Sequence, residues 1–206
     1  MGMKIRKKWD LPSDQRGALA VLAISFFLGG LAGSLLAALS GEAGALDLSG
    51  YLTDYLALAQ ENCLSESLWH LLWGELKYLL AALVLGLTAL GLAGLPVLFG
   101  VRGFFFSFSA ACFCRVFGGS GLFPAFVLFG LPALLWAPAL FLAGVPSFLS
   151  AQQLLRRLTG EGRGGLSVNG AFWYRAGVCV CLTLAAGLLE FWVVPVLLRA
   201  TARVIL

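Results

Sequence analysis

Histidine occurs once in these 206 residues, at His70, and charged residues make up only 12% of the chain. A soluble domain carries about twice that charged fraction, so an ordinary water-soluble fold is excluded. No lysine or arginine lies between Arg16 and Lys77. There is no phosphate-binding G-x-x-x-x-G-K-[ST] loop, no H-E-x-x-H pair and no G-x-S-x-G elbow. A lone histidine leaves a serine or cysteine nucleophile without a base, so catalysis has no residues to stand on. Nucleic-acid binding is also unsupported, because no basic stripe interleaves with aromatics on a water-facing element. The cysteines are Cys63, Cys112, Cys114, Cys179 and Cys181. The two C-x-C pairs lie in apolar runs and point to nearly opposite helix faces, without histidine or carboxylate company. They read as small apolar fillers, and Cys63, alone in a polar segment, implies no intrachain disulfide. No catalytic, cofactor or metal site is expected.

What the chain has in quantity is apolar length. Sixty per cent of its residues are hydrophobic, and several windows exceed the eighteen apolar residues that mark a membrane span. The expected fold is all-α: a polytopic helical membrane protein with about five transmembrane helices, folded as one membrane domain over residues 1–206. The spans fall at about 17–39, 78–99, 103–118, 122–146 and 171–198. At the centre stands a stretch from Leu76 to Phe117, read as two antiparallel spans joined by a turn at Gly100-Val101-Arg102-Gly103. Glycine tolerates tight backbone turns, and Arg102 between Gly100 and Gly103 would anchor that turn at the head groups. Gly91, Gly94 and Pro96 should bend the preceding span near its inner end.

Charge is sorted by side. Lys4, Arg6, Lys7, Lys8 and Arg16 precede the first span, whereas residues 40–76 hold Glu42, Asp47, Asp54, Glu61, Glu66 and Glu75 and no base. By the positive-inside rule the N-terminus is cytoplasmic, residues 40–76 are external, and the protein sits in the cell membrane. Ala43-Gly44-Ala45 resembles a signal-peptidase site, but the apolar run before it, about 22 residues, is too long for a signal peptide and reads as an uncleaved anchor. Along that anchor Ser25, Gly29, Gly33, Ala37 and Gly41 recur every fourth position, a face on which another helix backbone can approach closely. The identity of that helix is open at this stage.

The external segment has an apolar helical face carrying Leu48, Tyr51, Leu52, Tyr55, Leu56 and Ala59. A second short helix puts Trp69, Leu72, Trp73 and Leu76 on one side, suited to the membrane–water interface. Its carboxylates are scattered without ligand spacing and read as a solvated acidic face. Lys77 opens the next span and should snorkel to the head groups. Further on, Pro124, Pro132 and Pro138 predict a kinked or broken helix, ended by Pro146. Leu128-Phe129-Gly130-Leu131-Pro132 echoes Leu92-Ala93-Gly94-Leu95-Pro96, an apolar repeat too short to establish internal duplication. Residues 147–170 read as a helix extension and a cytoplasmic loop. Arg175 and Glu190 in the last span are fifteen residues apart, about 22 Å, and belong at opposite interfaces.

Leu76-Lys77-Tyr78, then Gly94-Leu95-Pro96-Val97, then Arg102-Gly103-Phe104 leading to Ser107-Phe108-Ser109 resemble the stage II sporulation protein M family. The resemblance is detailed over residues 68–112, and the fourth span departs from it with Pro132-Ala133-Leu134 where a polar step is usual. It implies a non-enzymatic membrane subunit that recruits peptidoglycan-degrading partners, the sporulation proteins D and P, during engulfment of the forespore. Membrane lipids are the other partners, and no cofactor is implied. The interaction candidates are Gly29, Gly33, Tyr51, Tyr55, Trp69, Trp73, Lys77, Gly94, Pro96, Arg102 and Gly103. A small-solute transporter, or a membrane subunit of one, is the alternative. It calls for a polar cavity lined by Arg115, Arg175 or Glu190 at mid-bilayer depth, whereas a scaffold calls for a dry, filled bundle.

Overall fold

A computed structural model describes residues 13–39, 68–159 and 170–205, and among these every regular element is helical. Helix α1 spans Ser13–Leu39, α2 Leu68–Gly86 and α3 Gly91–Phe117. A 3₁₀ turn at Gly118–Gly121 leads into the four-residue α4, Leu122–Ala125, and a π-helical turn at Phe126–Gly130. Helix α5 follows at Leu131–Leu158 and α6 at Gly170–Ile205. The fold is all-α. Among the described residues four segments, Asp14–Leu39, Gly91–Phe117, Phe126–Leu158 and Tyr174–Val193, are long and apolar enough to cross a membrane. Helix α2, 19 residues or about 28 Å long, lies packed among them.

The hairpin expected across Leu76–Phe117 exists, but its turn is elsewhere. Helix α3 runs unbroken through Gly100-Val101-Arg102-Gly103, and the chain reverses at Leu87–Leu90, inside the expected 78–99 span. Successive short-range bonds, Leu87 N–H to Val84 O (3.0 Å), Thr88 N–H to Leu85 O (3.1 Å) and Gly91 N–H to Thr88 O (3.1 Å), tighten the chain there. Thr88 Oγ1 adds a bond to Leu85 O at 3.0 Å. The physical reason for the correction is that Gly100 and Gly103 serve close packing, not turning. The only positive-φ glycine among the described residues is Gly118, which ends α3 (φ 61°). Pro96 lies inside α3, so the expected interruption falls at 87–90, just upstream of the Gly91, Gly94 and Pro96 group.

Helices α1 and α3 run parallel. Gly29 meets Gly100, Gly33 meets Phe104 and Phe108, and Arg115 reaches the end of α1 at Ala37. Numbers rise together along both helices. Within the α2–α3 hairpin they run oppositely, with Leu85 against Gly91 and Gly94 at the turn. Helix α5 follows the direction of α2, since Trp136 and Leu140 lie beside Glu75, Tyr78 and Leu79 while Ser147 packs on Gly86. Helix α6 opposes α2, with Gly187 against Leu72 and Cys179 in one cluster with Leu79. Helices α1, α3 and α6 therefore share one direction, and α2 and α4–α5 share the other.

The expected break in the fourth span appears as the π turn. Leu131 N–H bonds back to Phe126 O, a wider register that precedes Pro132, which has no N–H to offer. Pro138 and Pro146 lie inside α5, so Pro146 does not end the span and the helix continues to Leu158. The core is apolar: Leu22, Leu95 and Phe99 are fully buried, together with Trp136, Leu140 and Phe148. Gly144 makes room for the Phe99 ring, since a Cβ there would stand 2.5 Å from its Cζ. Ser147 is fully buried against Gly86, and its hydroxyl has no hydrogen-bond partner among the described residues.

Candidate functional site

Two charges inside the apolar bundle define the candidate site. Glu75 lies eleven residues before Gly86, the last of α2, and Arg102 lies eleven after Gly91, the first of α3. At 1.5 Å per residue both stand about 17 Å from the turn, so the hairpin brings them level. Arg102 Nη2 donates to both carboxylate oxygens of Glu75, and each side chain is only 14% exposed. The guanidinium carbon also lies 4.5 Å from the centroid of Tyr78 on α2 and 4.2 Å from that of Trp136 on α5. One long side chain from α3 thus ties α2 and α5 by a charged hydrogen bond and two aromatic faces.

Beside the pair is a cavity of about 10 Å³, lined by Glu75, Tyr78 and Leu79 of α2, Arg102 of α3, Trp136 and Leu140 of α5 and Thr183 of α6. That volume is at the lower limit for a single water molecule. Thr183 Oγ1 is committed to Cys179 O at 2.9 Å. The level of the site follows from α6, whose exposed Tyr174 and Trp192 mark the two interfacial ends. They are eighteen residues apart, about 27 Å, close to the thickness of the hydrocarbon core. Thr183 is nine residues from each. The Glu75–Arg102 pair therefore lies near the membrane midplane.

This corrects two expectations. Arg102 is no head-group anchor, and Glu75 is not part of a solvated acidic face. Lys77 is corrected as well: it is the tenth of the nineteen residues of α2, not the opening of a span, and it is exposed. Pairing explains why two charges can sit at this depth, since an unpaired one would be costly. Glu75, Tyr78 and Trp136 were missed as site residues, although a signal was present. Glu75 and Arg102 are equidistant from the centre of Leu87–Leu90, so a turn there must bring the acid and the base together.

The other candidates divide. Gly29, Gly33 and Gly103 form the α1–α3 seam, where a Cβ on Gly29 would fall on the carbonyl of Gly100, and one on Gly103 on that of Phe26. The unidentified helix facing the first span is thus α3 of the same chain. Gly94 accommodates Leu85, whose Cδ2 would stand 2.9 Å from an added Cβ. Pro96 lies inside α3 and is not among the residues lining the cavity. Trp69 and Trp73 are exposed on α2, 73% and 51%, and Tyr51 and Tyr55 lie outside the described residues. Arg115, Arg175 and Glu190 do not line the cavity. Arg115 Nη1 instead donates to Ala37 O (2.5 Å) and Ala38 O (3.1 Å), carbonyls left over at the end of α1. Among the described residues no group of three histidine, cysteine or acidic side chains could hold a metal ion. Comparison with protein-family models, with curated proteins and with solved structures returns no match for this chain.

Proposed function

We propose that the chain is a non-catalytic integral scaffold of the cell membrane, with its N-terminus in the cytoplasm. By its resemblance to stage II sporulation protein M it holds peptidoglycan-degrading partners, the sporulation proteins D and P, at the septum during forespore engulfment. The observation that carries this reading is how little space the described helices leave beside their buried charges. The cavity beside the Glu75–Arg102 pair has room for about one water, and the two charges neutralise each other, which argues against a solute path beside them. The small-residue seam is spent within the chain, which leaves the external segment and the outer helix faces for partners. Tyr51 and Tyr55 are the residue types that anchor protein interfaces.

The test is made in sporulating cells. Tyr51→Ala with Tyr55→Ala should keep membrane abundance, lose co-purification of an external partner and stall engulfment after septation. Labelling of Cys63 by an impermeant thiol reagent in intact cells checks the orientation, and an accessible Cys63 that stays unlabelled would reverse it. A transporter is the second reading, favoured by ionisable residues at mid-membrane depth. Proteoliposomes holding the purified chain separate the two. Flux of a defined solute that vanishes in Arg102→Met, together with normal engulfment in a deletion strain, would replace the scaffold by the transporter.

A further inference from the structure

Among the described residues, Lys77 is the one charge in the middle of α2 that no opposite charge answers. It is exposed, and among the described residues its only polar contact is with the ring beside it, Tyr78, whose centroid is 5.3 Å from Nζ. Glu75, two residues away, is on the other side of the helix and is taken by Arg102. The level of Lys77 is that of the Glu75–Tyr78–Thr183 cavity, near the membrane midplane. Half the hydrocarbon core is about 15 Å, and a lysine stem reaches only about 6 Å along its helix. Snorkelling from this depth leaves the ammonium well short of the head groups. Lysines so placed face a partner or a polar cavity, not acyl chains.

The surroundings of Lys77 describe the partner. Trp73, Leu80 and Val84 are exposed on α2 at 51%, 38% and 60%, and Leu87, just past its end, at 45%. With Trp69 and Lys77 they recur at intervals of four, four, three, four and three residues, a stripe along the whole helix of the kind that packs on another helix. We propose that this face of α2 docks a transmembrane helix of another protein that carries an aspartate or glutamate at mid-bilayer depth, paired with Lys77. A second copy docking through the same face is disfavoured, because it would set two Lys77 ammonium groups against each other. The inference rests on the scaffold reading and names where, inside the membrane, such a scaffold holds its partner.

The experiment reconstitutes the full chain in phosphatidylcholine vesicles with a labelled probe, a leucine–alanine transmembrane peptide bearing one glutamate at its centre. Association is read by energy transfer to a fluorophore on the protein. The glutamate peptide should bind about three- to tenfold tighter than its glutamine control, the size of an interhelical polar contact in lipid. Lys77→Met should erase that difference, and Lys77→Arg should keep it. Equal binding of both peptides, or a preference that survives Lys77→Met, overturns the proposal in favour of a snorkelling lysine. Cross-linking from a photoreactive residue at Val84 in host membranes is the companion measurement. An adduct with a helix that has a central carboxylate, lost in Lys77→Met and restored by Lys77→Glu with the reciprocal change in the partner, supports it. Adducts to a second copy or to lipid alone overturn it. A glutamate preference in vesicles without any host partner leaves the docking face standing and removes the scaffold reading; a host partner held elsewhere on the chain does the reverse.

Discussion

Helix α3 is held on two sides by opposite means. Toward α1 it offers missing side chains: Gly100 meets Gly29 and Gly103 meets Phe26, while Gly33 of α1 meets the backbone of Phe104 and Phe108, with backbone almost touching backbone. Toward α2 and α5 it offers one very long side chain, Arg102, which spans the gap to Glu75, Tyr78 and Trp136. Both solutions answer the same problem. In lipid, burying apolar surface gives helices no reason to associate, so close van der Waals packing and polar contacts must do it. The glycine seam spreads its contribution over many small contacts and tolerates no added volume. The arginine tie concentrates its contribution in one group and tolerates no loss of charge balance.

The largest expected effect comes from filling the seam. Gly29→Leu would drive a side chain into the Gly100 carbonyl, and neither backbone can yield without separating α1 from α3. A loss of at least about 3 kcal/mol is expected, the upper range for overpacking, read as a collapse of Tm in detergent or loss of the folded monomer on size exclusion. Near-normal Tm would mean the two helices are held elsewhere.

Next comes the tie. Arg102→Met strands the Glu75 carboxylate at mid-membrane and should cost about 3 kcal/mol, whereas Glu75→Leu with Arg102→Met should recover most of it. Arg102→Glu puts two carboxylates together and should do more harm than Arg102→Met. Reversing the pair, Glu75→Arg with Arg102→Glu, should return part of the stability. Additive losses in the double variants, measured as a thermodynamic cycle, would show that the two residues are not coupled.

The same contrast explains what could be read from the residues alone. The apolar runs and the all-α membrane fold were legible because membrane-spanning length is a local property of the chain. The face with Ser25, Gly29, Gly33 and Ala37 was legible too, but not its partner, since small residues say that something approaches closely and not what. Glycine was the source of the misplaced turn. In water Gly100-Val101-Arg102-Gly103 is turn chemistry, whereas in a bilayer glycines mark helix contact. The actual turn, Leu87-Thr88-Ala89-Leu90, contains no glycine or proline, and only the tertiary arrangement places it. That displacement carried the site with it: with the turn at 100–103, Arg102 belongs to the head groups and Glu75 to the external segment, and the pair between them is invisible.

The smallest effect tests whether glycine content or glycine position makes the seam. Gly30 lies on the same stretch of α1 as Gly29 and Gly33, yet an added Cβ would stand 3.6 Å from Ser107 Cβ, an ordinary contact. Gly33 is one helical turn from Gly29, and a Cβ there would strike the Phe104 carbonyl and stand 3.1 Å from the Phe108 nitrogen. Alanine in place of glycine inside a helix also limits the unfolded chain, a gain of roughly 0.5–1 kcal/mol where nothing clashes. Gly30→Ala should therefore leave Tm unchanged or raise it by a degree or two, on the order expected for a few tenths of a kcal/mol. Gly33→Ala should lower it. Two adjacent-face glycines responding with opposite sign would establish that the seam depends on where the α3 backbone passes. Equal losses at both positions would mean instead that α1 needs flexibility as such, and the close-packing account of the seam would fall.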